Sequence, residues 1–255
     1  MSPTRMPVVF QAHGAPPLLD DASWVRELAD WGVALPRPEA IVVVSAHWEA
    51  RPLSIGATHV VPLIYDFYGF PERFYRLQYA APGAPDVAQR IRELLARAKI
   101  TSLSTDRGLD HGAYLPLMCM YPQADVPVLQ ISLPSQQPEE LFAVGRALAP
   151  LREEGVLIIG SGFLTHNLRA LALRETPGWA RDFDAWSADV LVRRDHDALL
   201  DYRARAPGVR ESLPTHEHFV PVIVAAGAAA DAAVTFPITG FWFGGAMTRR
   251  SAQFT

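Results

Sequence analysis

One cysteine, Cys119, stands in a chain of 255 residues, which excludes an internal disulfide framework and suits a reducing compartment. Its neighbours Leu117, Met118 and Met120 are apolar, so an inert buried thiol is expected rather than a nucleophile. No uninterrupted apolar run approaches the length that crosses a bilayer, and residues 1–7 lack the apolar core of a secretory signal. A soluble, cytoplasmic protein is the expectation. The formal net charge is -4, and the densest basic clusters are the pairs Arg193-Arg194 and Arg249-Arg250. Without a basic stripe, nothing would track a phosphate backbone, so neither nucleic acid nor membrane is an expected partner. Internal repeats and low-complexity tracts are also missing.

What is present is a chain that is 49% hydrophobic and 20% charged, enough to bury a substantial core as a single α/β domain over residues 1–255. Residues 40–46, Ala-Ile-Val-Val-Val-Ser-Ala, form a continuous β-branched run, the pattern of a strand covered on both faces by helices. Residues 7–12, 127–133 and 155–162 read as further buried strands. Helices are predicted over 86–98, where Asp86 and Gln89 are spaced as a capping pair, and over 139–151, 183–200 and 219–230, the last alanine-rich and buried. Alternating strands and helices predict a mostly parallel sheet flanked by helices, with its active site at the carboxyl ends of the strands. The proline-rich stretches 52–85 and 207–214 read as long loops lining that crevice, and residues 239–247 as a late strand and glycine-rich turn. That turn is no phosphate loop, since it lacks both the lysine and the following helix.

Six of the eight histidines lie beside small or turn-forming residues: His13, His47, His111, His166, His216 and His218. Imidazole is the commonest transition-metal ligand and titrates near neutral pH, so a metal-centred enzyme is the leading reading. Proline and glycine after His13 stop its strand, His47 ends the 40–46 run, and His166 follows the 155–162 run. Sequence-distant histidines can thus meet in one crevice. His59 and His196 lack such contexts and are expected to be solvated.

Several phrases occur in order: His13-Gly14-Ala15-Pro16, Val44-Ser45-Ala46-His47-Trp48-Glu49, Tyr65-Asp66-Phe67-Tyr68-Gly69-Phe70-Pro71, Leu109-Asp110-His111-Gly112-Ala113, Gly160-Ser161-Gly162-Phe163-Leu164-Thr165-His166-Asn167-Leu168 and Glu217-His218-Phe219. Together they resemble the class III extradiol ring-cleavage dioxygenases, in particular the DOPA 4,5-dioxygenase branch, across nearly the whole chain. The resemblance implies an α/β core, metal ligands at His13, His47 and His218, an acid/base at His166 and a substrate-facing histidine at His111. It also implies non-haem Fe(II), with zinc as the alternative occupant. The implied partners are a small aromatic diol and O2, the product is a muconic semialdehyde, and a homo-oligomer is left open. One departure stands out: where the branch has His-Pro-Thr-Pro-Glu-His-Phe, this chain has Leu213-Pro214-Thr215-His216-Glu217-His218-Phe219. Leu213 replaces a histidine, and His216 becomes a rival to His218.

The residues support metal chemistry independently of that resemblance. Dioxygen is a ground-state triplet, and a redox-active metal removes the spin barrier to its reaction with an aromatic ring. The common iron set is two histidines and a carboxylate, which makes Glu49 and Glu217 candidate ligands, but both are expected instead to support the imidazoles from behind. Tyr65, Phe67, Tyr68 and Phe70 either line a pocket for a flat ring or belong to the core, and the same two readings apply to Trp48 and Tyr114. A zinc hydrolase and a non-catalytic metal-binding protein are the competing functions, although no His-Glu-x-x-His motif supports the hydrolase.

Overall fold

In the computed structural model, which describes residues 4–255, the β-branched runs become strands of one eight-stranded sheet. The strands are β1 (Val8–Ala12), β2 (Ala40–Glu49), β3 (Leu53–Ile55), β4 (Ser102–Ser104), β5 (Val128–Leu133), β6 (Val156–Gly162), β7 (Val234–Ile238), β8 (Phe241–Trp242), β9 (Met247–Thr248) and β10 (Ser251–Phe254). The helices are α1 (Ala22–Ala34), α2 (Pro85–Arg97), α3 (His111–Met120), α4 (Pro138–Leu148), α5 (Gly178–Arg193), α6 (His196–Leu200), α7 (Tyr202–Arg205), α8 (Val209–Ser212) and α9 (Pro221–Ala229). The sheet order is β4-β3-β5-β2-β6-β1-β10-β7, with β5, β2, β6 and β1 mutually parallel, while β8 and β9 form a separate hairpin. β10 and β7 extend the sheet antiparallel beyond β1.

The central strands are apolar on both faces because each face has its own helical cover. Val8, Phe10, Val42, Val44, Val156 and Ile158 pack in one core with residues of α2, α4, α5 and α9. The alternating Val9, Ile41, Val43, Leu157 and Ile159 pack in a second core with α1 and α3. Each of these aliphatic side chains removed from water contributes about 1.5–3 kcal/mol, which makes the alternate residues of the strand equally committed to opposite cores. Slipping the register by one residue would exchange the two sets.

The same two covers position the functional crevice. From its carboxyl end, β1 leads toward α1 on one face, whereas its parallel neighbour β6 leads toward α5 on the other. Chains that diverge between adjacent parallel strands leave a gap above the carboxyl ends, where ligands bind in open α/β sheets.

Several local expectations change. Pro85 occupies the first turn of α2 and no side chain caps it, so Asp86 and Gln89 lie inside the helix and form no capping pair. The helix expected over 183–200 divides, because Arg194 adopts a left-handed conformation (φ 56°) and the Asp195 carboxylate then caps α6 by accepting from Ala198 N at 3.0 Å. α4 ends at Leu148 and continues as a 3-10 helix, Ala149–Glu154. The 52–85 stretch contains β3, and 207–214 contains α8. α9 is buried along its whole length, as its composition predicts. Cys119 is buried, and burial pushes its thiol up to about 11. Among the described residues, no helix is long and apolar enough to cross a membrane. Residues 1–3, part of the 1–7 segment read for a signal core, lie outside the described residues.

Candidate metal centre and active site

Five imidazoles meet at the carboxyl ends of the parallel strands. His13 directly follows β1, His47 lies near the end of β2, and His166 follows β6 and bridges to Met247. His111 is the first residue of the buried helix α3 rather than part of an open turn, and His218 precedes α9. His218 reaches the group because β6 ends in glycine: a Cβ on Gly162 would lie 2.0 Å from the His218 carbonyl oxygen. That carbonyl instead accepts from Phe163 N at 2.8 Å. Gly112 has the same effect from α3, since its Cβ would lie 2.4 Å from Ser45 Oγ and 3.2 Å from both His13 Nδ1 and His47 Cδ2.

The nitrogens are ordered. His13 Nε2 and His47 Nε2 are 3.2 Å apart, as are His47 Nε2 and His218 Nε2. Three of the four nitrogens that could face outward are backed by oxygen. Ser161 Oγ donates to the Gly112 carbonyl at 2.5 Å, so its contact of 3.0 Å with His13 must be accepted from His13 Nδ1–H. Glu217 Oε1 accepts from His218 Nδ1 at 2.9 Å. Asp66 Oδ1 accepts from both the backbone N (3.1 Å) and Nδ1 (2.8 Å) of His111. Asp66 Oδ2 lies 3.3 Å from His47 Nδ1, but the pair is not aligned as a hydrogen bond, and this buried oxygen has no other partner.

With Nδ1 protonated on His13 and His218, their Nε2 lone pairs point inward at His47 Nε2. A cation roughly 2.0–2.1 Å from two nitrogens leaves them about 3.0–3.4 Å apart, a spacing that the His13–His47 and His47–His218 pairs both meet. Among the described residues, His13, His47 and His111 form one group with ligand atoms within 4.8 Å of one another, and His166, Glu217 and His218 form a second. Together these histidines could hold a metal.

Burial holds His13 and His47 well below the usual imidazole range, and the neighbouring imidazoles add to the effect. Burial also lowers His218, against the opposing pull of Glu217. Metal ligation needs deprotonated nitrogen, so these shifts favour binding at neutral pH. Burial pushes the Glu217 carboxyl up, but hydrogen bonding and charge from His218 outweigh it and hold the group at about 2. His166 is lowered to about 3, chiefly by burial and then by His218, on which it stacks with centroids 3.6 Å apart and planes at 11°.

Behind His47 lies a buried polar support. Asp110 accepts from Ser45 Oγ (2.8 Å), Gln130 Nε2 (2.5 Å) and Arg107 (3.2 Å). Arg107 also donates to the His47 carbonyl at 3.3 Å and lies over the Trp48 ring. Trp48 is buried, and Tyr114 is fully so, which makes both core residues.

A cavity of about 610 Å³ opens over the histidines, walled by Phe67, Tyr68, Phe70, Phe163, Leu168 and Met247 among others. Tyr65 is not part of that wall; its hydroxyl donates to the Leu77 carbonyl at 2.6 Å. Glu49, expected to support an imidazole, instead faces solvent and accepts from Gln136 at 2.6 Å. β2 also loses register with β5 here, since Val44 pairs with Ile131 and Glu49 with Leu133. Glu217 does take the supporting position. His216 lies outside both histidine groups, against Tyr202 with centroids 5.5 Å apart and with a buried Nδ1 that has no partner. His59 is exposed as expected, whereas His196 is half-buried against Phe142 at 4.9 Å. Sequence reasoning gave Asp66 no role of its own; its one signal was a lone carboxylate within an aromatic stretch.

Comparison with known proteins places this arrangement. Residues 11–246 match the family described as the catalytic LigB subunit of aromatic ring-opening dioxygenase. The chain is 42% identical to 4,5-DOPA dioxygenase extradiol of Beta vulgaris, covering 96% of this chain and 95% of that protein. It is 39% identical to the protein of the same name from Escherichia coli (strain K12), covering 96% and 93%. The crystal structure of uncharacterized protein JW3007 from Escherichia coli K12 superposes with a TM-score of 0.84 at 35% identity, covering 98% of this chain and all of that one. The chain therefore belongs to the LigB family of aromatic ring-opening dioxygenases, as an oxidoreductase of the class III extradiol type and the DOPA dioxygenase branch.

Proposed function

We propose that this protein opens the ring of a DOPA-like catechol with O2, using Fe(II) held by His13, His47 and His218, to give a muconic semialdehyde. The observation that carries the assignment of ligands is the pair of 3.2 Å contacts among their three Nε2 atoms, with protonated Nδ1 atoms turned outward on His13 and His218. The bound metal would supply a chelation site for the two catechol oxygens and a route around the spin barrier to O2.

The chain's own residues do the rest. His166 is kept neutral by burial, so one of its nitrogens is ready to accept a proton from a catechol hydroxyl and return it later in the reaction. Its stacking on His218 holds the ring beside the centre without occupying either nitrogen. His111, with Nδ1 tied to Asp66 Oδ1, presents Nε2 to the cavity and orients the substrate oxygen. Phe67, Phe70 and Phe163 give the flat ring an apolar slot and keep bulk water from the reacting carbons.

Zinc would suit a set of three neutral imidazoles equally well, so the metal in a purified sample follows supply as well as function. Anaerobic loading with Fe(II) or Zn(II), followed by aerobic exposure to a catechol panel, tests the proposal. Oxygen uptake and a yellow product are expected with iron alone. Ring opening with zinc alone, or with neither metal, would remove Fe(II) from the proposal.

A further inference from the structure

The cavity contains one charged side chain that the chemistry above does not use. Two carboxylates line it, Asp66 and Glu217, and both are engaged by imidazoles, at 2.8 Å from His111 and 2.9 Å from His218. Among the described residues lining it, Arg169 alone carries a permanent positive charge, and its guanidinium makes no hydrogen bond or ion pair among the described residues.

The main chain carrying Arg169 is fixed. Asn167 N donates to the Ala246 carbonyl at 2.8 Å, and Asn167 Nδ2 donates to the Glu211 carbonyl at 2.7 Å. Asn167 Oδ1 then accepts from Arg169 N at 2.9 Å and caps the 3-10 turn Leu168–Ala170. This turn begins two residues after His166, so a pinned backbone delivers a free cation to the wall beside the proposed acid/base. Arg169 is exposed at this wall, and Leu168, Leu171, Tyr68 and Phe70 of the same lining offer apolar surface or a hydroxyl. A cavity of about 610 Å³ is also larger than a bare dihydroxyphenyl ring requires.

We infer that Arg169 reads an anionic substituent of the substrate, a carboxylate on a short chain attached to the catechol ring. The inference rests on the ring-opening reading above and adds the determinant of substrate choice. A guanidinium presents parallel N–H groups that match both oxygens of a carboxylate, whereas a neutral or cationic tail leaves that charge without a partner. Arg169 is a specificity residue here and takes no part in bond breaking.

The test compares 3-(3,4-dihydroxyphenyl)propanoate, 4-methylcatechol and 2-(3,4-dihydroxyphenyl)ethylamine on the wild type, Arg169→Gln and Arg169→Lys, all Fe(II)-loaded. Arg169→Gln should raise KM for the propanoate by about 10- to 100-fold, the effect of losing one charge-assisted contact. kcat should stay unchanged, as should KM for 4-methylcatechol, and Arg169→Lys should recover part of the loss. The amine should bind Arg169→Gln no worse than the wild type. Equal KM changes for propanoate and 4-methylcatechol, or no change for either, would overturn the inference. Equilibrium binding without O2 separates the two claims: a wild type that opens no ring defeats the proposed function, and the ratio of propanoate to 4-methylcatechol affinity still decides the role of Arg169.

Discussion

The five clustered imidazoles differ in what holds their rings. His13 and His218 each have Nδ1 fixed by an oxygen and Nε2 facing His47, which settles their tautomer before any ligand arrives. His166 is held by its backbone N, which donates to the Ser212 carbonyl at 2.9 Å, and by stacking on His218, while neither ring nitrogen is hydrogen-bonded among the described residues. A ligand benefits from a locked tautomer, because rotation or a misplaced proton removes the lone pair from the metal. A proton carrier needs the reverse, a ring kept in place by contacts that do not change when it gains or loses a proton. His111 is intermediate, tied by Asp66 at one nitrogen and open at the other. For His13, His218 and His166 the difference lies in the partners of the rings, since the residue type is the same; His47, at the centre of the Nε2 contacts, has no hydrogen bond at Nδ1.

The largest effect should come from removing a proposed ligand. His13→Ala, His47→Ala and His218→Ala should each lose most of the bound metal, measured by elemental analysis after dialysis, with the fold retained by circular dichroism. Next in size is His166→Gln, which should keep its metal and slow turnover by about 10²- to 10⁴-fold. Full activity in that variant would end the proton-transfer assignment. The same variant should alter the pH response of the metal-free protein. His166 is held at about 3 against an ordinary 6.5, so the unfolded chain binds a proton that the folded chain refuses between those values. Stability is therefore fully present above about pH 6.5 and declines as pH falls toward 3, a decline that His166→Gln should make shallower in thermal melts. A smaller change is expected from Glu217→Gln, which removes the charge behind His218 and should weaken metal binding by about tenfold, at the lower end for such supporting contacts.

How far the sequence reveals this arrangement depends on whether a residue's position follows from its neighbours in the chain. His13 and His47 are legible because β-branched runs define buried strands and prolines or the run's end mark where they stop. The doubly covered sheet is legible for the same reason. Glu49 is not, because alternation alone puts it on the face of His47, whereas at the end of β2 it lies exposed and bonds Gln136. The break at Arg194 is equally hidden, since helical periodicity runs through 183–200 and only the left-handed residue divides it. Asp66 and Arg169 belong to the cavity through long-range packing, and periodicity carries no information about such contacts. The resemblance to ring-cleavage enzymes supplies His218, whose approach to the site depends on Gly162 offering no side chain to its carbonyl.

The finest comparison is between two histidines separated by one residue. His218 is 5% exposed, its Nδ1 is backed by Glu217 and its Nε2 lies among the other imidazoles. His216 is half-buried on the far side of the turn, packed against Tyr202, and borders a separate cavity lined by Arg203, Arg210 and Leu213. Burial and the charge of Arg203 lower its pKa, so it is neutral at pH 7 without belonging to the centre. His216→Ala should therefore leave metal content unchanged and shift stability by no more than about 0.5 kcal/mol, the range for a substitution away from any network. Loss of metal in His216→Ala with full retention in His218→Ala would exchange their roles. It would also require the turn at 213–218 to refold, because the Nδ1 of His216 has no oxygen behind it to orient the ring.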